Sequence, residues 1–173
     1  GASSFRNDAT ARILRTVRVD VLRGNISEVR FVAGLSSNTK GVDASEDDAG
    51  GDAVQIARNL ALHLRCVAAI TGAIDSVSDG VRTVQIQNGH PALSSITGTG
   101  CMCSSLVGSF CGAAPKSLFA ATVTALLCMG IAGEIAYEKT GATGNGSFHA
   151  AILDAVSKMD EDTLNGRMRW REA

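Results

Sequence analysis

Hydrophobic and polar positions follow two periods along the first half of the chain and settle into one along the second. Ser3 or Ser4 can cap a helix to about Val17, with Ala9, Ile13, Leu14 and Val17 on one face. Val19-Asp20-Val21-Leu22-Arg23 then reads as a buried strand closed by Gly24. Asn25-Ile26-Ser27-Glu28 opens a second helix through about Ala33, with Asn25 or Ser27 as cap and Glu28 in the favourable first turn. Ser36 to Gly51 is polar and acid-rich, the composition of a surface loop. Asp52 caps a strong helix to about Arg65 that turns Val54, Ile56, Ala57, Leu60 and Leu64 inward. Cys66 to Ile70 is continuously apolar and of strand length, as expected of a parallel strand covered on both faces, and Thr71-Gly72 closes it. Ile74 to Ser78, a turn at Asp79-Gly80, and Val81 to Gln87 read as a hairpin.

After a further turn at Asn88-Gly89-His90-Pro91 the pattern becomes helical, with helices predicted at about 100–113, 116–139, 146–157 and 160–169. The longest apolar stretch, Leu118 to Ala136, is interrupted by Thr122, Thr124, Gly130, Gly133 and Glu134. It reads as the buried helix of a soluble protein rather than a membrane span. Strands alternating with helices predict an α/β fold with a mostly parallel sheet. No internal repeat or interdomain linker interrupts it, so one domain over 1–173 is expected. Gly1-Ala2-Ser3-Ser4 leads straight into a helix with neither an initiator Met nor a preceding strand, as an internal fragment would.

Composition narrows the function classes. Sixteen Lys and Arg against 17 Asp and Glu leave a net charge of −1, and only 4% of residues are aromatic. Neither a basic patch nor stacking surface for bases is expected, which argues against nucleic acid as partner. The five cysteines are odd in number and lie mostly in apolar runs, which points to a reducing, cytoplasmic setting rather than a disulfide framework. Cys101-Met102-Cys103 has no matching His/Cys pair at zinc-ligand spacing.

Candidate chemistry gathers at three polar turns that follow predicted strands: Arg23-Gly24-Asn25, Thr71-Gly72 and Thr97-Gly98-Thr99-Gly100. In open α/β sheets, ligands bind beyond the C-terminal ends of strands, so the three can share one crevice. The glycines before Cys101 let backbone amides approach a ligand, and the helix start supplies a partial positive charge, together an anion site. The same field favours a thiolate at Cys101, a candidate general base or nucleophile; the alternative is a small buried side chain after a tight loop. Asn25-x-x-Glu28 puts two oxygen-bearing side chains on one helical face, enough to help hold a hard divalent ion alongside phosphates, or simply to cap a helix. Arg23 can clamp phosphate oxygens or be an exposed strand-end charge, and Thr71 can offer a hydroxyl to a nucleotide or only end a strand. A thiol nucleophile wants a histidine; His63, His90 and His149 are not placed beside Cys101 by sequence, which favours phosphate handling over thiol catalysis.

An ordered set of segments carries a family resemblance: Phe5-Arg6, Leu22-Arg23-Gly24-Asn25-Ile26-Ser27-Glu28, Lys40-Gly41-Val42-Asp43, Ile70-Thr71-Gly72, Ser78-Asp79-Gly80, Asn88-Gly89-His90, Thr97-Gly98-Thr99-Gly100-Cys101 and Gly146-Ser147-Phe148. Together they resemble the C-terminal two-thirds of hydroxyethylthiazole kinases, thiamine-salvage enzymes of the ribokinase-like superfamily. The resemblance implies a three-layer α/β/α fold with a mostly parallel central sheet, a trimer with active sites at subunit boundaries, and Mg²⁺-dependent transfer of the ATP γ-phosphate to the hydroxyl of 4-methyl-5-(2-hydroxyethyl)thiazole. It assigns Arg23 and Thr71 to ATP, Glu28 with Asn25 to Mg²⁺ and phosphate, and Gly98 to the thiazole pocket. The amides from Gly98 through Thr99 and Gly100 to Cys101 become an anion hole, with Cys101 where superfamily sugar kinases carry an aspartate base. Gly1-Ala2 resembles the tail of the family's Asp-Pro-Val-Gly-Ala-Gly-Ala segment, so a companion N-terminal portion would supply the first strands and most of the thiazole pocket. Two alternatives remain: another ribokinase-like vitamin kinase, of hydroxymethylpyrimidine or pyridoxal type, or a catalytically silent assembly module.

Overall fold

The structure, a computed structural model, describes residues 3–36, 49–141 and 143–173. Contacts divide the chain into two compact units, Gly1–Gln85 with Glu172–Ala173, and Ile86–Arg171. Gly1-Ala2, most of the loop expected over 36–51 and the Lys40-Gly41-Val42-Asp43 segment lie outside the described residues.

In the first unit, α1 (Ser4–Thr16) precedes β1 (Val21–Asn25), α2 (Ile26–Ser36), α3 (Ala49–Leu64), β2 (Val67–Thr71), β3 (Asp75–Ser78) and β4 (Thr83–Ile86), which leads out of the unit. β1 and β2 run parallel, from Val21↔Val67 to Asn25↔Thr71, and α2 and α3 form the long crossover that parallel pairing requires. The buried stripe of α3 is Ala53, Ile56, Ala57, Leu60 and Ala61, spaced three and four apart. It packs with Val29 and Val32 of α2 and Ala68 and Ile70 of β2 into one core. Val54 is only half-buried. Asp52 lies inside the first turn of α3 rather than capping it, and pairs with Arg30 of α2.

The sheet is mixed: β3 runs antiparallel to β2, with Ala68↔Ser78, Ala69↔Val77 and Ile70↔Ser76. The reason is loop length, since the three residues 72–74 cannot carry a parallel crossover. The Asp79 carboxylate then organises the next turn by accepting the Val81 and Arg82 N–H groups at 3.0 and 2.7 Å. On α1 the predicted apolar face is only partly used. Ala11 is buried and Leu14 reaches the core, while Ile13 and Val17 are exposed by more than half. The helix carries more than one apolar strip, and a single strip meets the core.

The second unit is built around α5 (Leu118–Thr140), with α4 (Thr99–Ala113), α6 (Asn145–Ser157) and α7 (Glu161–Arg167) against it. By length and composition α5 is the one helix among the described residues apolar enough to cross a membrane, yet two-thirds of its most apolar stretch is buried in the protein. Its interior carboxylate is accounted for. Glu134 accepts the Gly89 N–H at 2.7 Å and pairs with Arg169, while buried Asn88 donates to Glu134 and to the Arg167 carbonyl. The Arg169 N–H returns a 2.6 Å bond to the Asn88 side-chain oxygen. This network ends α7 earlier than the predicted 160–169, and Trp170–Glu172 extends as β5. Asp160 caps α7 by accepting the Thr163 N–H.

Candidate nucleotide and anion site

β1 and β2 end side by side, so Asn25 and Thr71 are register partners at the C-terminal edge of the first unit's parallel pair. From β1, Arg23 Nη2 donates to Thr71 Oγ1 at 2.7 Å, and the Thr71 hydroxyl faces the Gly24 carbonyl at 3.4 Å. The half-buried guanidinium is thus held by a strand-end hydroxyl instead of projecting as an unanchored surface charge.

Directly after β1 the chain turns into α2 without a linker. Asn25 Oδ1 accepts the Glu28 N–H and Glu28 Oε2 accepts the Asn25 N–H, both at 2.9 Å. This is the reciprocal arrangement of a capping box, with Asn25 in the serine's place. The Ser27 hydroxyl adds a third bond to Asn25 Oδ1 at 2.8 Å, so Ser27 supports the cap and Asn25 is the cap. A Cβ on Gly24 would stand 3.2 Å from both Glu28 Cβ and Oε2, tighter than ordinary contact, so the box would have to give by a few tenths of an ångström to admit one.

One participant was not apparent from residue patterns. Asp75, at the start of β3, accepts the Gly72 N–H at 2.9 Å and so closes the turn after Thr71. Burial pushes its carboxyl up from 3.8 to about 6, against the opposing pull of the Gly72 amide and the Arg23 charge. Its one local signal was the spacing Thr71-Gly72-x-x-Asp75, an aspartate placed to bond back across a strand-end turn.

In the second unit, Gly98 has φ +102°, a left-handed conformation that favours glycine, and directly precedes α4. Thr99 Oγ1 donates to the Leu93 and Ile96 carbonyls at 3.1 and 3.3 Å, tying the turn down. Met102 N–H bonds back to the Gly98 carbonyl at 2.9 Å. Thr99, Gly100 and Cys101 therefore form the first turn of α4, at the positive end of its dipole, and Cys101 is exposed there. Cys103, two residues on, is the buried one. All five thiols are free, and burial pushes Cys66 up to about 11 and Cys128 upward. His90 is engaged elsewhere: its Nδ1 accepts the Ala92 N–H, and its ring stacks on Tyr137 with centroids 3.6 Å apart.

The structure thus joins Arg23 with Thr71, and Asn25 with Glu28, in the first unit, and gathers Gly98, Thr99, Gly100 and Cys101 at one helix start in the second. Helices alternating with the strands of a mixed sheet make this an α/β protein, and its structural neighbour puts it in the ribokinase-like class. The model of the hydroxyethylthiazole kinase family matches residues 1–162. The chain is 51% identical over 173 residues to a hydroxyethylthiazole kinase of Ruminiclostridium cellulolyticum and 50% identical over 175 to one of Clostridium beijerinckii, in each case covering 99% of this chain and 63% of the relative. The structure of a hydroxyethylthiazole kinase protein from Pyrococcus horikoshii superposes on all of this chain and 62% of its own, with a TM-score of 0.85 and 36% identity. The chain belongs to the hydroxyethylthiazole kinase family and spans somewhat under two-thirds of the length of these relatives.

Proposed function

We propose that this chain is the larger part of a kinase that phosphorylates the hydroxyl of 4-methyl-5-(2-hydroxyethyl)thiazole with ATP and Mg²⁺, in thiamine synthesis or salvage. The observation that carries the reading is the Arg23–Thr71 hydrogen bond at the ends of adjacent parallel strands, where α/β proteins bind ligands. In this reading Arg23 and Thr71 contact ATP. Gly98 borders the thiazole pocket, its missing side chain leaving room for the substrate, while Thr99 and Gly100 face the phosphate being transferred.

Cys101 accepts the proton of the substrate hydroxyl. Phosphoryl transfer has a loose transition state in which positioning and charge neutralisation outweigh base strength, so a thiolate in this position suffices as the acceptor and leaves as the thiol. Its exposure in the first turn of α4 supports the assignment. For Mg²⁺, among the described residues no three His, Cys, Asp or Glu side chains cluster. The donor set suits an ion held by one carboxylate and substrate phosphates, because the capping box orients the exposed Glu28 carboxylate beside Asn25. Bound there, Mg²⁺ would offset phosphate charge. Residues beyond this chain and a neighbouring subunit of a homotrimer complete the thiazole pocket. A cytoplasmic setting is supported by five free thiols.

ADP release by the full-length protein, measured with and without the thiazole and Mg²⁺, tests the activity; release independent of the thiazole refutes it. Cys101→Ala lowers kcat by roughly 10²-fold or more, the contribution of a general base, whereas Cys101→Asp retains or raises it. Complete loss in Cys101→Asp refutes the base assignment.

A further inference from the structure

We propose that Asp75 is a positioning residue of the nucleotide site: by holding the Gly72 amide it fixes the Thr71 hydroxyl against Arg23. The proposal rests on the assignment of Arg23 and Thr71 to ATP. Thr71 is the last residue of β2 and Asp75 the first of β3, so residues 72–74 alone connect two antiparallel strands. A connection this short has few backbone bonds of its own. The 2.9 Å bond from Gly72 N–H to Asp75 Oδ1 supplies one, immediately next to Thr71. The contacts then form a chain within one unit: Asp75 to Gly72, Gly72 through the peptide to Thr71, Thr71 to Arg23 and to the Gly24 carbonyl.

The chemistry argues that this carboxylate is kept for positioning rather than for stability. Enclosure raises its pKa from 3.8 to about 6, so keeping it ionised at neutral pH costs folding free energy. The Arg23 charge offsets only part of that cost, and its guanidinium is held by the Thr71 hydroxyl. Groups whose ionisation is disfavoured by their surroundings concentrate at functional sites. Gly72 is also exposed, and no Cβ clash requires glycine there: the nearest atom to an added Cβ is the Ile74 carbonyl oxygen at 3.8 Å. The turn is held by its hydrogen bond and not by packing, so removing the acceptor loosens Thr71 while leaving the core intact.

The test compares binding of a non-hydrolysable ATP analogue with Mg²⁺, together with kcat and KM for ATP, in the full-length wild type, Asp75→Ala, Asp75→Asn and Arg23→Ala. Asp75→Ala is expected to weaken analogue binding and raise KM for ATP about tenfold or more, the effect of losing one charge-assisted hydrogen bond, with kcat within about threefold. Asp75→Asn keeps an acceptor for Gly72 and is expected to stay within about threefold of wild type, a rescue that a general loss of folding would not show. Wild-type binding in Asp75→Ala beside weakened binding in Arg23→Ala overturns the role of Asp75 alone. Equal weakening in Asp75→Asn and Asp75→Ala overturns it too, because charge and not the Gly72 bond then governs. Unchanged binding in Arg23→Ala overturns the nucleotide-site reading on which the proposal rests.

Discussion

Replacing Asp75 by Asn in the full-length protein should stabilise it at pH 8 and leave it unchanged at pH 4. The native carboxyl titrates near 6 and its ordinary value is 3.8, the shift arising first from burial and opposed by the Gly72 amide and Arg23. Each tenfold change in acidity is worth about 1.4 kcal/mol, so the ionised side chain costs the native state at most about 3 kcal/mol, and about 1–3 kcal/mol after solvent screening at its open edge. The sign follows from proton counting. Between 3.8 and about 6 the native protein binds more protons than the unfolded chain, so this group's contribution is fully present below 3.8 and is lost as pH rises through 6. Asn imitates the neutral acid and retains an acceptor for Gly72. Urea unfolding at pH 4, 6 and 8 reads the difference as a midpoint shift at constant slope. A variant-minus-wild-type difference that is flat with pH, or a lower midpoint for Asp75→Asn at pH 8, refutes the reasoning.

Two contrasts probe packing. A Cβ on Gly130 would lie 2.8 Å from the Asn88 backbone carbon and oxygen, atoms that cannot swing aside. Gly130→Ala is therefore expected to cost about 2 kcal/mol or more, and Gly108→Ala, an open position in α4, to gain about 0.5–1 kcal/mol; thermal unfolding of both checks this, and an unchanged Tm in Gly130→Ala refutes it. Ser76 is 1% exposed and its hydroxyl has no partner among the described residues. Ser76→Ala should raise stability by about 1 kcal/mol by removing an unpaired buried hydroxyl, and a lower urea midpoint would show that the hydroxyl is satisfied.

Local patterns carried much of the fold. The apolar spacing of α3, the uninterrupted strand at Val67–Ile70 and the four C-terminal helices all rest on periodicities written into neighbouring residues. So does the turn at Gly98, a glycine directly before a helix whose first residues are Thr99 and Gly100. Patterns did less well where an alternative partner decided. Trp170–Glu172 continues no helix because its surroundings include Gln87, whose N–H reaches the Arg169 carbonyl at 2.8 Å. Ile13 and Val17 look like core residues by spacing, yet the core meets α1 through Ala11 and Leu14. At Asn25 and Glu28 the sequence admitted a cap or a metal site, and the reciprocal bonds make the cap real while leaving Glu28 exposed for a second task.

Sequence by itself determined the α/β class, most of the elements, the positions of the strand-end turns and the ordered motifs of the family. Only tertiary structure decided that Arg23 meets Thr71, 48 residues away, and that the Asp75 carboxyl is enclosed near Arg23. Helix period, capping and glycine turns depend on residues within a few positions of one another, so they are legible in order along the chain. Desolvation and long-range hydrogen bonds depend on which distant segments the fold brings alongside, and an aspartate in a strand shows nothing of that until its neighbours arrive.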